Sequence, residues 1–206
     1  MPEFATCRQT MLLYLKARIP FISLRTDERD RALELFRSLA SELNIPIYYH
    51  TLSQGVRDIA TNRAVNEDRS VAGALDYASQ QILQRQNLTF VLTEAQDIDG
   101  DTPLSRQMLD VAASATERGG AIVAITTSSI WPRLQRQGMT LTLDPPNEDE
   151  MRAIIAECLQ HLSRIGTDRV GGSRAYGGGH HTGGRDAHRS RECCRDLSGQ
   201  GVDPQV

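Results

Sequence analysis

Two apolar runs decide the fold of this chain: residues 88–94 are LTFVLTE and residues 121–128 are AIVAITTS. Each begins with apolar or β-branched residues and ends in polar ones, which is typical of a strand buried on both faces. Residues 103–118, between them, have the apolar spacing of a helix that stops at Gly119 and Gly120. A strand, a helix and a second strand in this order predict a parallel sheet covered by helices.

The same alternation continues on both sides of this unit. Further strands are expected at residues 21–25, 45–51 and 139–143. Further helices are expected at residues 5–17, 27–43, 70–86, 131–137 and 147–161. Thr26 or Asp27 can cap the helix expected at residues 27–43, and Asn147 can cap the helix expected at residues 147–161. The prediction is therefore an α/β fold of five mainly parallel strands with helices on both faces.

Composition divides the chain near Arg164. Residues 164–206 contain ten of the 16 glycines and few large aliphatic residues. Such a segment cannot bury enough surface to offset chain entropy, so we expect one domain at residues 1–163 and a disordered Gly/Arg/His-rich tail at residues 164–206. The tail has zinc-binding residue types, but their irregular spacing predicts no metal site. They are His180, His181, His188, Cys193 and Cys194.

Bulk properties disfavour several classes of function. The net charge of the 206 residues is −3, which offers no basic field for nucleic acid. No run of 18 apolar residues occurs, and residues 1–16 lack a signal-peptide pattern. The four cysteines match no disulfide framework, which favours free thiols in a reducing compartment. We therefore expect a cytoplasmic protein with no nucleic-acid or membrane partner.

The junction after the first strand lacks a phosphate-binding loop. Such a loop, G-x-x-x-x-G-K-[ST], surrounds phosphate with backbone N–H groups and supplies a lysine. The motif is absent from the sequence, and the single lysine, Lys16, precedes the first strand. Residues 25–29, RTDER, contain no glycine and place Asp27 and Glu28 at the helix start, where carboxylates would repel a triphosphate. No cofactor-binding residue is predicted; nucleotide binding by an unfamiliar loop is the alternative.

Polar residues at the ends of the two central strands are candidate catalytic residues. In P-loop ATPases, an apolar strand ending in Asp-Glu supplies a magnesium ligand and a residue that positions water. Here Thr93 replaces the aspartate, and Glu94 stands where the base would be. Thr126 is the polar residue that ends the other strand. A solvated loop glutamate and ordinary turn chemistry are the alternatives.

The most specific pattern is IWPRLQRQGM at residues 130–139, followed by LTLDPPNEDE at residues 141–150. It resembles the AAA+ ATPase pattern of a short helix ending in Arg-x-Gly, a strand, and a proline turn before an acidic helix. By this resemblance Thr126 would sense the γ-phosphate, and an arginine finger would stand at Met139. Arg133 and Arg136 could reach a neighbouring subunit instead. Surface arginines in salt bridges are the alternative.

Over residues 11–163 the chain resembles the amino-terminal half of the FtsH-like AAA+ ATPases of cyanobacteria, plastids and bacteria. In that group a degenerate AAA-like module precedes a working one. The matching features lie at residues 15–20, 26–28, 52–55, 90–92 and 145–146. The resemblance implies a three-layer P-loop NTPase-like fold with strand order 5-1-4-3-2. It also implies an assembly or regulatory module that does not hydrolyse ATP.

The resemblance implies either an AAA+ catalytic module or a second copy of the chain as partner. Two other functions stay open. One is a divergent ATPase that uses Glu94, Thr126 and Arg136 with ATP and magnesium. The other is a truncated or frameshifted product without independent activity, because the tail has the composition of an out-of-frame translation.

Overall fold

A computed structural model describes residues 4–171 of the chain. The chain divides into two compact units, Met1–Ile154 and Ile155–Val206. The first unit contains the whole sheet, and in the second the described residues continue the last helix. Residues 164–171, the start of the predicted tail, are helical, and the tail from residue 172 onward lies outside the described residues, so disorder there stays a prediction.

Helices and strands alternate along the chain as the apolar pattern predicts, except that three consecutive strands lie within residues 47–66. The helices are α1 (Phe4–Lys16), α2 (Arg29–Leu43), α3 (Val71–Gln84), α4 (Pro103–Arg118), α5 (Pro132–Gln135) and α6 (Glu148–Gly171). The strands are β1 (Phe21–Arg25), β2 (Ile47–Thr51), β3 (Gly55–Asp58), β4 (Ala64–Asn66), β5 (Thr89–Leu92), β6 (Ala121–Thr126) and β7 (Gly138–Thr142). No helix in the described part of the chain is long and apolar enough to cross a membrane.

All seven strands form one sheet, in the order β4-β3-β2-β5-β6-β1-β7. The prediction of five strands in the order 5-1-4-3-2 is therefore wrong for the sheet as a whole. The five parallel strands lie side by side as β7-β1-β6-β5-β2, and β3 and β4 extend the sheet beyond β2 in antiparallel pairing. The strand expected at residues 45–51 is consequently not at the edge, and Tyr48 and Tyr49 are buried.

The missed strands belong to a hairpin that carries little sequence signal. Gly55 has a φ of 70°, a conformation that glycine adopts most readily, and it directly follows the turn after β2. A Cβ at Gly55 would lie 2.6 Å from the Asn66 carbonyl oxygen, so the turn also needs a residue without a side chain. The two strands have four and three residues, too few for a clear alternation of apolar and polar residues.

The sheet buries both of its faces, which makes the domain three-layered. In β6, Ile122 and Ala124 belong to one apolar cluster, whereas Val123 and Ile125 belong to the other. This split follows from the two-residue period of a strand. One cluster contains buried residues of α3 and α4, and the other contains buried residues of α1 and α2. The central position predicted for these strands is confirmed, because every residue of β5 and β6 is buried.

Helix ends follow the capping signals at most positions. Thr102 caps α4 and accepts a hydrogen bond from the Ser105 N–H, and Gly119 ends the helix in the left-handed conformation, as predicted. The Asn147 side chain accepts from the Glu150 N–H at 2.8 Å at the start of α6. The prediction for α2 is wrong, because its N-cap is Glu28, which makes no side-chain capping bond.

Candidate functional site

The candidate site lies where the parallel strands end, called here the carboxyl end of the sheet. Loops after β1, β2, β5 and β6 meet there because parallel neighbours finish on the same side. The structure places Thr26, Glu94 and Thr126 in these loops or at the strand ends. A hydrogen bond of 3.2 Å from the Thr26 N–H to the Thr126 carbonyl joins two of them.

The junction from β1 to α2 presents side chains where a phosphate loop would present backbone N–H groups. The Thr26 hydroxyl accepts from the Glu28 N–H at 3.1 Å, so this donor is already satisfied. Asp27 is exposed, and Asp30 adds a carboxylate in the first turn of α2. Negative side chains at a helix N-terminus are stabilised by the helix dipole and disfavour a further anion at the same place.

Glu94 is bonded through both of its carboxylate oxygens. One oxygen accepts from the Arg29 guanidinium at 3.0 Å, and the other accepts from the Leu52 N–H at 3.1 Å. Its side chain is 31% exposed and that of Arg29 is 43% exposed, so the ion pair stands at the surface. The carboxylate thus connects the loops after β2 and β5 with the first residue of α2.

Thr93 is bonded to the neighbouring strand. It is buried, and its hydroxyl donates to the His50 carbonyl at 2.8 Å. His50 is also buried, and its Nε2 lies 3.1 Å from the Arg69 carbonyl. Burial lowers the pKa of His50 below its ordinary value of 6.5, although the carbonyl and the nearby carboxylates of Glu94 and Asp68 oppose that shift.

Thr126, the sensor-like residue, has its hydroxyl in a local turn. It is buried and accepts from the Ser128 N–H at 3.0 Å. This is the side-chain turn that threonine commonly forms. Thr126 therefore shares a backbone contact with Thr26, and no hydrogen bond in the described structure joins its hydroxyl to Glu94.

The two arginines predicted at an interface lie on or next to α5. Arg133 is exposed, with its guanidinium 5.7 Å from the centre of the Trp131 ring. Arg136 is exposed at the end of the helix. Neither makes a hydrogen bond or ion pair with another residue in the described range, so the structure does not bring them together with Glu94 or Thr126.

Arg31 is an organising residue that the sequence reasoning missed. Its guanidinium, 15% exposed, donates to a Glu28 carboxylate oxygen at 2.6 Å and to a Glu150 carboxylate oxygen at 3.1 Å. It also donates to the Asp144 carbonyl at 3.0 Å, and it lies 5.3 Å from the centre of the Phe4 ring. No local motif marks this residue, because its acceptors are up to 119 positions away.

Arg29 was missed for the same reason: its partner, Glu94, is 65 positions away. Part of a signal existed, since an arginine at a helix start is unfavourable for the dipole and suggests a nearby carboxylate. As for metals, the side chains that the structure describes, in residues 4–156 and 158–160, include no group of three or more His, Cys, Asp or Glu that could hold an ion.

Residues 7–143 match the family model of the SpoVK-like AAA ATPase N-terminal domain. The chain belongs to this family. The broader part of the resemblance is therefore confirmed: this is an N-terminal module of the AAA ATPases. No curated protein matches the chain in sequence.

Two solved structures match this chain at low sequence identity. A chain of the E. coli MS115-1 HORMA:CdnC:Trip13 complex shares 13% identity, with a TM-score of 0.44, over 74% of this chain and 66% of its own. AMPPCP-bound DnaA from Aquifex aeolicus shares 11% identity, with a TM-score of 0.45, over 79% of this chain and 56% of its own. The present chain thus spans less than two thirds of the length of either.

Proposed function

We propose that this chain is an AAA-family module that assembles or regulates a larger AAA ATPase and does not itself hydrolyse ATP. The observation that carries the proposal is the arrangement around Glu94. A catalytic carboxylate must be free to orient water beside a bound phosphate. In this chain both Glu94 oxygens accept hydrogen bonds from the protein, one of them from Arg29.

The residues at the carboxyl end of the sheet fit ATP and magnesium poorly. Thr93 and Thr126 use their hydroxyls in bonds to the protein backbone. The start of α2 carries carboxylates and no glycine. Phosphate binding at a helix N-terminus needs free backbone N–H groups and usually a lysine or arginine aimed at the phosphate. Arg29, the cation at this position, is already paired with Glu94.

The proposed partner is an AAA catalytic module or a second copy of this chain. Arg133 and Arg136 support an interface on α5, because both are exposed cations with no ion-pair partner in the described range. Placement in the FtsH-like group and a cytoplasmic location belong to this proposal as well. They rest on the sequence motifs and composition described above.

Calorimetric titration of the full chain with ATP and magnesium tests the proposal. We expect a dissociation constant weaker than about 1 mM, since the site lacks the usual phosphate contacts. A constant in the range of about 1–10 μM would overturn the proposal. The variant Arg29→Ala removes the paired cation, and a module that never binds nucleotide should behave like the parent chain.

A further inference from the structure

The opposite side of the sheet, where the parallel strands begin, carries a cleft that the proposed function does not use. It lies at the amino end of the sheet, between the C-terminal ends of α1 and α4 and the segment before β5. A cavity of about 380 Å³ lies there beside a smaller cavity of about 150 Å³. The two cavities share part of their lining, because Arg18 and Gly119 line both. The larger volume lies within the range of small-molecule sites.

Three cations surround this cleft without a partner. Lys16 lines the smaller cavity, Arg118 lines the larger one, and Arg18 lines both. All three are exposed, and none forms an ion pair or side-chain hydrogen bond with another residue in the described range. Glu117 is the acidic residue in the lining. The cleft therefore has an excess of positive charge that the protein does not neutralise.

The backbone at Arg18 gives a second, independent observation. Helices α1 and α4 end with the same hydrogen bond, from Ile19 N–H to Tyr14 C=O and from Gly120 N–H to Ala115 C=O. This arrangement requires a left-handed residue just before the donor, which is usually glycine. In α4 that residue is Gly119, with a φ of 70°, whereas in α1 it is Arg18, with a φ of 57°. An arginine at this position is strained, and such strain is concentrated at ligand-binding sites.

The Arg18 side chain also lies directly across the other helix end. A Cβ at Gly119 would be 3.1 Å from Arg18 Nη1 and 3.1 Å from Asn87 Oδ1. The glycine thus leaves the space in which the guanidinium packs. The left-handed backbone at the end of α1 and the absence of a side chain at Gly119 together place the Arg18 guanidinium over the cleft.

We propose that this cleft binds a small phosphorylated molecule through Lys16, Arg18 and Arg118. Two guanidinium forks and an ammonium group supply more donors than one carboxylate accepts, whereas a phosphate presents three oxygens and up to two negative charges. Leu15, Leu43 and Ile45 line the smaller cavity, where an apolar part of the ligand can lie. The site is at the end of the sheet opposite Glu94, so it stands independently of the proposed function.

Titration of the full chain with inorganic pyrophosphate, followed by amide NMR, tests the proposal. We expect saturable shifts at Arg18, Asn87 and Gly119, with a dissociation constant below about 1 mM. Arg18→Gly should weaken binding by about tenfold or more while raising the melting temperature, because glycine relieves the left-handed strain. Loss of binding in this variant could therefore not be attributed to unfolding. The matched control is Arg37→Gln, which removes an exposed, unpaired cation from α2 and should leave binding unchanged.

Three outcomes would overturn the proposal. The first is equal weakening by Arg18→Gly and Arg37→Gln, which would mean that only net charge matters. The second is a shift that does not saturate by about 10 mM pyrophosphate. The third is tighter binding of citrate than of pyrophosphate, which would identify a carboxylate site.

Discussion

The two ends of the sheet differ in how their charges are satisfied. At the carboxyl end, Arg29 is paired with Glu94, and Arg31 is paired with Glu28 and Glu150. At the amino end, Lys16, Arg18 and Arg118 surround a cleft without any such partner in the described range. The fold alone predicts a ligand site at the carboxyl end, because loops after parallel strands usually form the site.

This difference separates the position of a residue in the fold from the availability of its charge. A cation whose partner is a protein carboxylate must lose that partner before it can bind a ligand anion, whereas an unpaired exposed cation loses only water. The carboxyl end thus has the residue types of a functional site, but its charged side chains are paired with one another. The cations at the amino end have no such partners in the described range. Substitutions at the two ends can show whether charge pairing distinguishes them.

The largest expected effect concerns the core that both ends share. Leu88 directly precedes β5 and Leu92 is its last residue, and both are fully buried. Truncation of either to Ala should lower the free energy of unfolding by about 2–5 kcal/mol, because each leaves a cavity. Urea denaturation measures the two losses. Losses within about 1 kcal/mol of each other would mean that the core is equally well packed at both ends, so that the ends differ only in surface charge. A loss far smaller at one end would instead indicate that this end is loosely packed.

Arg31 should have the next largest effect. Arg31→Ala removes three hydrogen bonds from a mostly buried guanidinium and leaves the Glu28 and Glu150 carboxylates without a cationic partner, so we expect a loss of about 1.5–3 kcal/mol. The matched control is Arg152→Ala, since Arg152 pairs with Glu148 but is 71% exposed; its loss should stay below about 0.5 kcal/mol. Thermal and urea unfolding measure both losses. Equal losses for Arg31→Ala and Arg152→Ala would mean that the contacts of Arg31 add nothing to stability beyond those of a surface ion pair.

Apolar periodicity predicted the part of the fold that rests on burial. The runs at β5 and β6 are continuous because both faces of the sheet are covered, and this same burial makes them recognisable in the sequence. The β3–β4 hairpin escaped prediction because its short strands bury few residues, Val56 among them. Its register depends on the turn at Gly55 and on pairing with β2, and this pairing is known only from the three-dimensional structure.

The positions of the candidate residues at the strand ends were predictable, but their bonding was not. Strand ends and polar residue types located Thr93, Glu94 and Thr126. Their partners are the His50 carbonyl, the Arg29 guanidinium and the Ser128 N–H. Of these, only the Ser128 contact is local enough to follow from sequence spacing. Pairing across the sheet requires knowing which strands are neighbours, so the bonds of Thr93 and Glu94 could not be derived from the sequence.

A smaller effect is expected from the buried histidine at the carboxyl end. Because burial lowers the pKa of His50 in the folded state, the unfolded chain binds the proton more readily below pH 6.5. Stability should therefore fall as the pH decreases below 6.5 and stop falling, for this group, below the folded-state pKa. Melting temperatures measured across this range should show the slope, and His50→Gln should reduce it. An imidazole NMR titration with a midpoint above 6.5 would contradict the prediction.

The smallest expected effect belongs to the pair on which the proposed function rests. Glu94→Gln keeps a carbonyl oxygen that can accept from either Leu52 or Arg29 but removes the charge. Since the pair is partly exposed, the loss in unfolding free energy should be about 0.5–1 kcal/mol. Arg29→Gln should cost a similar amount, and the double variant should cost about 0.5 kcal/mol less than the sum. Additive single losses would mean that the ion pair seen at 3.0 Å contributes no coupling. A structural carboxylate affects stability alone, so any ATP hydrolysis by the parent chain that Glu94→Gln abolishes would instead assign Glu94 to catalysis.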